Sequence, residues 1–355
     1  MKEPEIENLP EEEAYISPPV TDKNKIISYN VSNTVEILIQ KIDNSEIDLK
    51  PEFQRDFVWD KKRSSFFIDS LIIGLPIPSI FLGKRKDEES FFVIDGQQRL
   101  KTIYAFYHNK FFAGKIEKKF KLFGLDGKDW DNSEYAALPE NIKRKFRNAV
   151  LNTTIIENID SDPQAISDIF HRLNTGGMPL NDQEIRNCIF SGNFNDYLMN
   201  LNYNEQWGNL LGRLSPSKRL KDIELLLRFV SLFYNINNYK EPMRNFLNNF
   251  MNSYRTNITF SKEFEIIFNK TINIIHNEIG IDAFRISKYF NRAVCDSVLV
   301  GIANNIKSNN LTNRISESYS KLLKDKAFNL YINESTTLSS NLIGRIDLST
   351  KYFSK

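Results

Sequence analysis

The feature that most restricts how this chain folds is an abrupt change of hydrophobic period across a single glycine. Phe91-Phe92-Val93-Ile94 is a short apolar run with the length and composition of a strand. Beyond Asp95-Gly96-Gln97-Gln98-Arg99, the apolar residues Leu100, Ile103, Tyr104, Phe106 and Tyr107 recur at helical intervals. A strand-to-helix junction of this kind presents unpaired backbone N–H groups and the positive end of a helix dipole, which together favour an anion. Gly96 would let backbone approach a ligand closely, Gln97 and Gln98 would orient phosphate or water, and Arg99 would clamp phosphate oxygens bidentately. The charge of Asp95 repels phosphate, so this side chain suits Mg²⁺, a ribose hydroxyl or an attacking water instead. Alone, the five residues better describe a capped helix with a surface arginine, so the reading needs support from other segments.

The flanking sequence frames the junction. Asn33 and Glu36 have capping-box spacing, and Val35, Leu38, Ile39 and Ile42 follow at helical intervals. Asp60 caps a second predicted helix, whose Phe67, Ile68, Leu71 and Ile72 face a core and whose end is marked by Gly74. Pro76 and Pro78 then lead into Ser79-Ile80-Phe81-Leu82, the partner of Phe91–Ile94 in a predicted hairpin. Lys110 to Asp131 reads as a second hairpin or insert, and Ala149 to Ile156 as a β-branched strand. Asp162 and Pro163 open a helix that Gly176-Gly177 closes, and from Asn181 onward helical periodicity dominates.

Two further segments carry chemistry. In Phe53-Gln54-Arg55-Asp56-Phe57-Val58-Trp59, large aromatics enclose a polar centre, and stacking can hold the Arg55 guanidinium toward the same phosphates. In Phe170-His171-Arg172-Leu173-Asn174-Thr175-Gly176-Gly177, Phe170 and Leu173 face a core, which turns Arg172, Asn174 and Thr175 elsewhere. The continuation Leu180-Asn181-Asp182-Gln183-Glu184-Ile185-Arg186-Asn187 gathers more polar groups at the next helix start. The histidines His108, His171 and His276 are scattered, without a His-Asn-His nuclease signature. Glu117-Lys118-Lys119 lies in a Lys-rich stretch that suits a solvated face.

Composition sets outer bounds. The 355 residues allow about two domains, and a hydrophobic fraction of 41% fills real cores. With 47 Lys+Arg against 45 Asp+Glu, the net charge of +2 neither demands nor forbids nucleic acid. The two cysteines, Cys188 and Cys295, lack zinc or disulfide spacing, which suits a reducing cytoplasm. No stretch approaches the roughly 18 apolar residues of a membrane span. These observations predict an α+β fold in three parts: a loose leader over 1–25, a mixed α and β domain over 26–190 and a helical domain over 191–355.

The motifs together resemble the DGQQR domain at the N-terminus of GmrSD-type restriction proteins. The resemblance rests on Phe53-Gln54-Arg55 with Trp59, Gly74-Leu75-Pro76-Ile77-Pro78-Ser79-Ile80, Ile94 through Leu100, and Phe170 through Gly177 followed by Leu180. It implies a fold similar to ParB and sulfiredoxin, and NTP binding with Mg²⁺ whose hydrolysis gates a nuclease, supplied in trans, on modified or invading DNA. By position, Asp95, Gln97, Gln98 and Arg99 would be catalytic, with Arg55, Gly96, Arg99, Arg172, Asn174 and Thr175 binding nucleotide and Asp95 facing the metal. Homo-oligomerisation fits the same expectation. Two alternatives stand beside it. One is a non-enzymatic DNA-binding adaptor that uses Arg213 to Lys221 and Lys321 to Lys326. The other is a ParB-like nuclease acting through the DGQQR residues themselves.

Overall fold

A computed structural model describes Ile6 and residues 27–49, 59–84, 89–113, 116–157 and 181–355. These form two compact units, one holding 27–157 with 187–189, the other 181–186 with 190–355. The α+β expectation is met: the first unit is built on a five-stranded mixed sheet, and the second is mostly helical. Among the described residues, no helix is long and apolar enough to cross a membrane.

The first unit runs β1 (Ile27–Thr34), α1 (Val35–Asp43), β2 (Ile47–Asp48), α2 (Lys61–Ile73), β3 (Ile80–Lys84), β4 (Phe91–Asp95), α3 (Gln97–Tyr107), β5 (Phe111–Ala113), β6 (Ile116–Lys118), α4 (Glu140–Asn148) and β7 (Val150–Glu157). Strands β5 and β6 pair as a separate hairpin. The main sheet has the order β1-β7-β3-β4-β2. Pairing is antiparallel for β1/β7 and β3/β4, and parallel for β3/β7 and β2/β4.

Its helices bury the faces that their spacing predicts. Val35, Leu38 and Ile39 of α1, Phe67, Ile68, Leu71 and Ile72 of α2, and Leu100, Ile103 and Phe106 of α3 share one core with Leu82, Val93, Leu151 and Ile155 of the sheet. Phe106 contributes edge-to-face contacts to Phe120, Tyr135 and Phe146, with centroids 5.3, 5.8 and 5.4 Å away. Helix α2 has the predicted bounds: the Asp60 carboxylate accepts from the Arg63 backbone N–H at 2.7 Å, and Gly74 ends it at φ 77°.

Residues near 33 differ from the expectation. Asn33 does not cap α1; it lies in β1, and its side-chain amide donates to Thr153 Oγ1 on β7 at 3.3 Å. Thr34 is the cap instead, accepting from the Ile37 N–H at 3.3 Å. The pairing with a strand more than a hundred residues away decides between two adjacent residues of similar capping strength.

The second unit comprises α5 (Asp182–Ile189), α6 (Asn193–Leu201), α7 (Glu205–Leu211), α8 (Lys221–Asn235), α9 (Met243–Tyr254), α10 (Ser261–Ile274), α11 (Arg292–Lys307), α12 (Ile315–Lys324), α13 (Lys326–Asn333) and α14 (Ser339–Tyr352), with the last residues of α5 counted in the first unit. Helix α11 is central and packs on α8, α10 and α14. Gly301 permits the closest of these approaches, because a Cβ there would lie 2.9 Å from the Ser349 backbone of α14.

Candidate functional site

The junction between β4 and α3 is held by sterics as well as by conformation. Gly96 has φ 97°, a region that L side chains avoid, and a Cβ on it would lie 2.9 Å from Ile80 Cγ1 on β3. The sheet is irregular at the same place. Phe81 pairs with Asp95 but Leu82 with Val93, which leaves Ile94 as an extra residue in a β-bulge. A bulge re-aims the residue that follows it, and here that residue is Asp95. Helix α3 begins at once, with the Leu100 N–H donating to the Gly96 carbonyl at 2.9 Å.

Arg99 folds back onto this turn. Its Nη2 donates to Asp95 Oδ2 at 2.6 Å, and its Nη1 donates to the carbonyls of Ser79, at 3.1 Å, and Pro78. The Arg99 side chain is 12% exposed, against 42% for that of Asp95. Burial lowers the Arg99 pKa from its ordinary value while the Asp95 charge opposes that shift. Both terminal nitrogens are thus engaged within the fold, and the side chain that remains presented at the junction is Asp95.

The two glutamines brace the junction from other directions. Gln98 Oε1 accepts from the Trp59 backbone N–H at 3.3 Å, and Gln97 Nε2 donates to the Leu49 carbonyl at 3.5 Å. The Trp59 ring packs edge-to-face on Phe67 of α2 at 5.4 Å, and the Arg63 guanidinium lies over it at 4.8 Å. The sequence reading missed Arg63. Its signal was present in the i, i+4 spacing of Trp59 and Arg63 across the Asp60 cap, which stacks a guanidinium on an indole.

The structure therefore brings together Asp95, Gly96, Gln97, Gln98 and Arg99 with Trp59 and Arg63. Arg55, Arg172, Asn174, Thr175 and His171 lie outside the described residues. His108 is paired with Asp43 at 3.2 Å and lies at a tilt against Tyr104 with ring centroids 4.3 Å apart, a placement that explains it without chemistry. Among the described residues, no group of three His, Cys, Asp or Glu side chains is placed to hold a metal ion.

The polar segment that starts at Asn181 is structural within the helical unit. Asn181 and Glu184 form a reciprocal capping box, with both hydrogen bonds at 2.8 Å. Asp182 pairs with Arg244 at 2.7 Å, Glu184 with Arg219 at 2.9 Å and Arg186 with Glu224 at 2.8 Å. Two basic residues offered above as DNA contacts are also committed inward. Arg213 is buried and pairs with Asp222 at 3.0 Å, and Lys221 is only 5% exposed. A further buried centre places Arg228 and Arg345 on one carboxylate, Asp296, at 2.5 and 3.1 Å.

Compared with known proteins, residues 35–191 match the family model described as GmrSD restriction endonuclease, N-terminal domain. That segment contains the whole β4–Gly96–α3 junction. No curated protein and no solved structure matches the chain.

Proposed function

Residues 35–191 match the model of the GmrSD restriction endonuclease N-terminal domain, and from that match we propose that this chain is the NTP-binding and hydrolysing module of a restriction or anti-phage defence system. The observation that carries the reading is the arrangement of Asp95. It leaves a β-bulge, meets the N-terminus of α3, and has one carboxylate oxygen tied to the Arg99 guanidinium, whose side chain is 12% exposed. Phosphoryl transfer asks a protein chiefly for positioning and electrostatics. A carboxylate whose rotamer is set by Arg99 supplies positioning with no reorganisation at the moment of reaction.

In this reading the nucleotide phosphates lie at the start of α3, where Gly96 keeps the backbone bare and the helix dipole favours negative charge. Gln97 and Gln98 orient phosphate or water, and Arg55, Arg172, Asn174 and Thr175 complete the binding set. Arg99 acts through Asp95. A resident metal does not fit a single carboxylate, but Mg²⁺ carried by the nucleotide does, because that ion takes most of its ligands from phosphates and water. Asp95 is the side chain that would face it. Turnover then gates an effector on DNA, with a nuclease subunit in trans and self-association as parts of the same reading, in a cytoplasmic setting.

The test is nucleotide binding and phosphate release by the wild-type chain, Asp95→Ala and Arg99→Ala. Loss of turnover in both variants supports the reading, and equal activity in all three refutes it. Plasmid nicking that needs Mg²⁺ and vanishes in Asp95→Ala would instead favour a nuclease acting at this junction.

A further inference from the structure

We infer that Arg63 is the guanidinium that meets the ligand's phosphates at this junction, a role that local sequence assigns to Arg99. The inference rests on the nucleotide-site reading above and names the cation of that site. Arg99 makes one bond to Asp95 and two to backbone carbonyls from a side chain that is 12% exposed. Turning it toward a phosphate would release a carboxylate and two carbonyls at once. Arg63 is in the opposite condition. It is exposed, and no carboxylate among the described residues pairs with its side chain.

Exposure alone would leave Arg63 an ordinary surface arginine, but its surroundings hold it in place. Its backbone N–H is fixed by the Asp60 cap at 2.7 Å. Its guanidinium lies 4.8 Å from the centre of the Trp59 ring, and that ring is itself seated on the buried Phe67. The Trp59 backbone N–H donates to Gln98 Oε1, so the platform under Arg63 is hydrogen-bonded to the second residue of α3. Stacking leaves the edge of a guanidinium, where all its N–H donors lie, open to an acceptor. A phosphate at the α3 N-terminus is such an acceptor, and Trp59 is the positioning residue that aims Arg63 at it.

Isothermal titration of the full chain with ATP, GTP, CTP and UTP, each with Mg²⁺, tests the inference. For whichever nucleotide binds, Arg63→Ala and Arg63→Gln weaken affinity roughly 10- to 100-fold, the range of a lost charge-assisted hydrogen bond. Arg63→Lys retains part of the binding, and Trp59→Leu loses about 2- to 5-fold through disordered stacking. Lys145→Ala, an exposed charge on α4, changes nothing. The Arg63 variants and Lys145→Ala keep the wild-type unfolding midpoint. Wild-type affinity in both Arg63→Ala and Arg63→Gln overturns the inference and leaves the nucleotide site standing. An equal loss in Lys145→Ala overturns it as nonspecific electrostatics. A wild-type chain that binds none of the four overturns both readings together.

Discussion

The Arg99 guanidinium and the Asp95 carboxylate, four residues apart across the start of one helix, are joined at 2.6 Å with the guanidinium the more buried of the two. The charge at the heart of the motif is therefore held from inside, and its carboxylate faces outward. Removal of Arg99 would free Asp95 and strand the carbonyls of Pro78 and Ser79. Arg99→Lys, which keeps the charge but not the fork, is expected to bind nucleotide near normally while phosphate release falls roughly 10- to 100-fold. Steady-state kinetics resolves this as a fall in kcat with little change in KM.

Gly96→Ala destabilises the first unit. The substitution meets a left-handed φ of 97° and a Cβ position 2.9 Å from Ile80 Cγ1. Backbone strain and overpacking together cost about 2–4 kcal/mol. Chemical unfolding followed by the fluorescence of Trp59 and Trp130 measures the loss. In a double-mutant cycle with Ile80→Ala, which alone opens a cavity in the core, the two losses are less than additive because the truncated side chain no longer meets the new Cβ.

Much of the first unit was legible locally. Asp60 and Gly74 announced the ends of α2, and the switch of period at Gly96 announced β4 and α3. Strand β1 was less so: its first four residues are exposed, and Asn33 passes equally for a cap or a strand residue until Thr153 is brought beside it. Helix α4 offered only Ile142 and Phe146 as buried residues amid charge, too little period to stand out. In the candidate site, the residue types were readable but their partners were not. That Arg99 turns inward depends on the carbonyls of Pro78 and Ser79, which the sheet and not the local sequence delivers. The inward commitment of Arg213 and Lys221 has the same origin, because Asp222 and the α8 packing appear only in the fold.

Asp296 is the most sensitive charge in the helical unit. It serves Arg228 and Arg345, and all three side chains are nearly inaccessible. Asp296→Ala leaves two guanidiniums buried without their counter-charge, which costs about 3–5 kcal/mol. The helical unit then loses its cooperative unfolding transition in circular dichroism, while Asp347→Ala, on the more exposed part of α14, leaves it in place.

Stability declines at alkaline pH for an identifiable reason. Burial pushes the Tyr319 hydroxyl up from 10.0 to about 12, and the group donates to the Ala283 carbonyl at 2.9 Å. The folded chain therefore keeps a proton that the unfolded chain releases above pH 10, so stability is full below pH 10 and falls as pH rises toward 12. Tyr234, also pushed up to about 12, acts in the same direction. Denaturant midpoints measured from pH 9 to pH 12 should fall across that window, less steeply in Tyr319→Phe. A flat profile would show that these hydroxyls ionise as freely in the fold as in the unfolded chain.

Single-turnover phosphate release with Mg²⁺ measures whether the junction at Asp95 handles nucleotide phosphates. Release by the wild-type chain and a fall of roughly 100-fold or more in Asp95→Asn, with nucleotide binding retained, are the expected results. Release from Asp95→Asn at the wild-type rate would contradict that role for the junction.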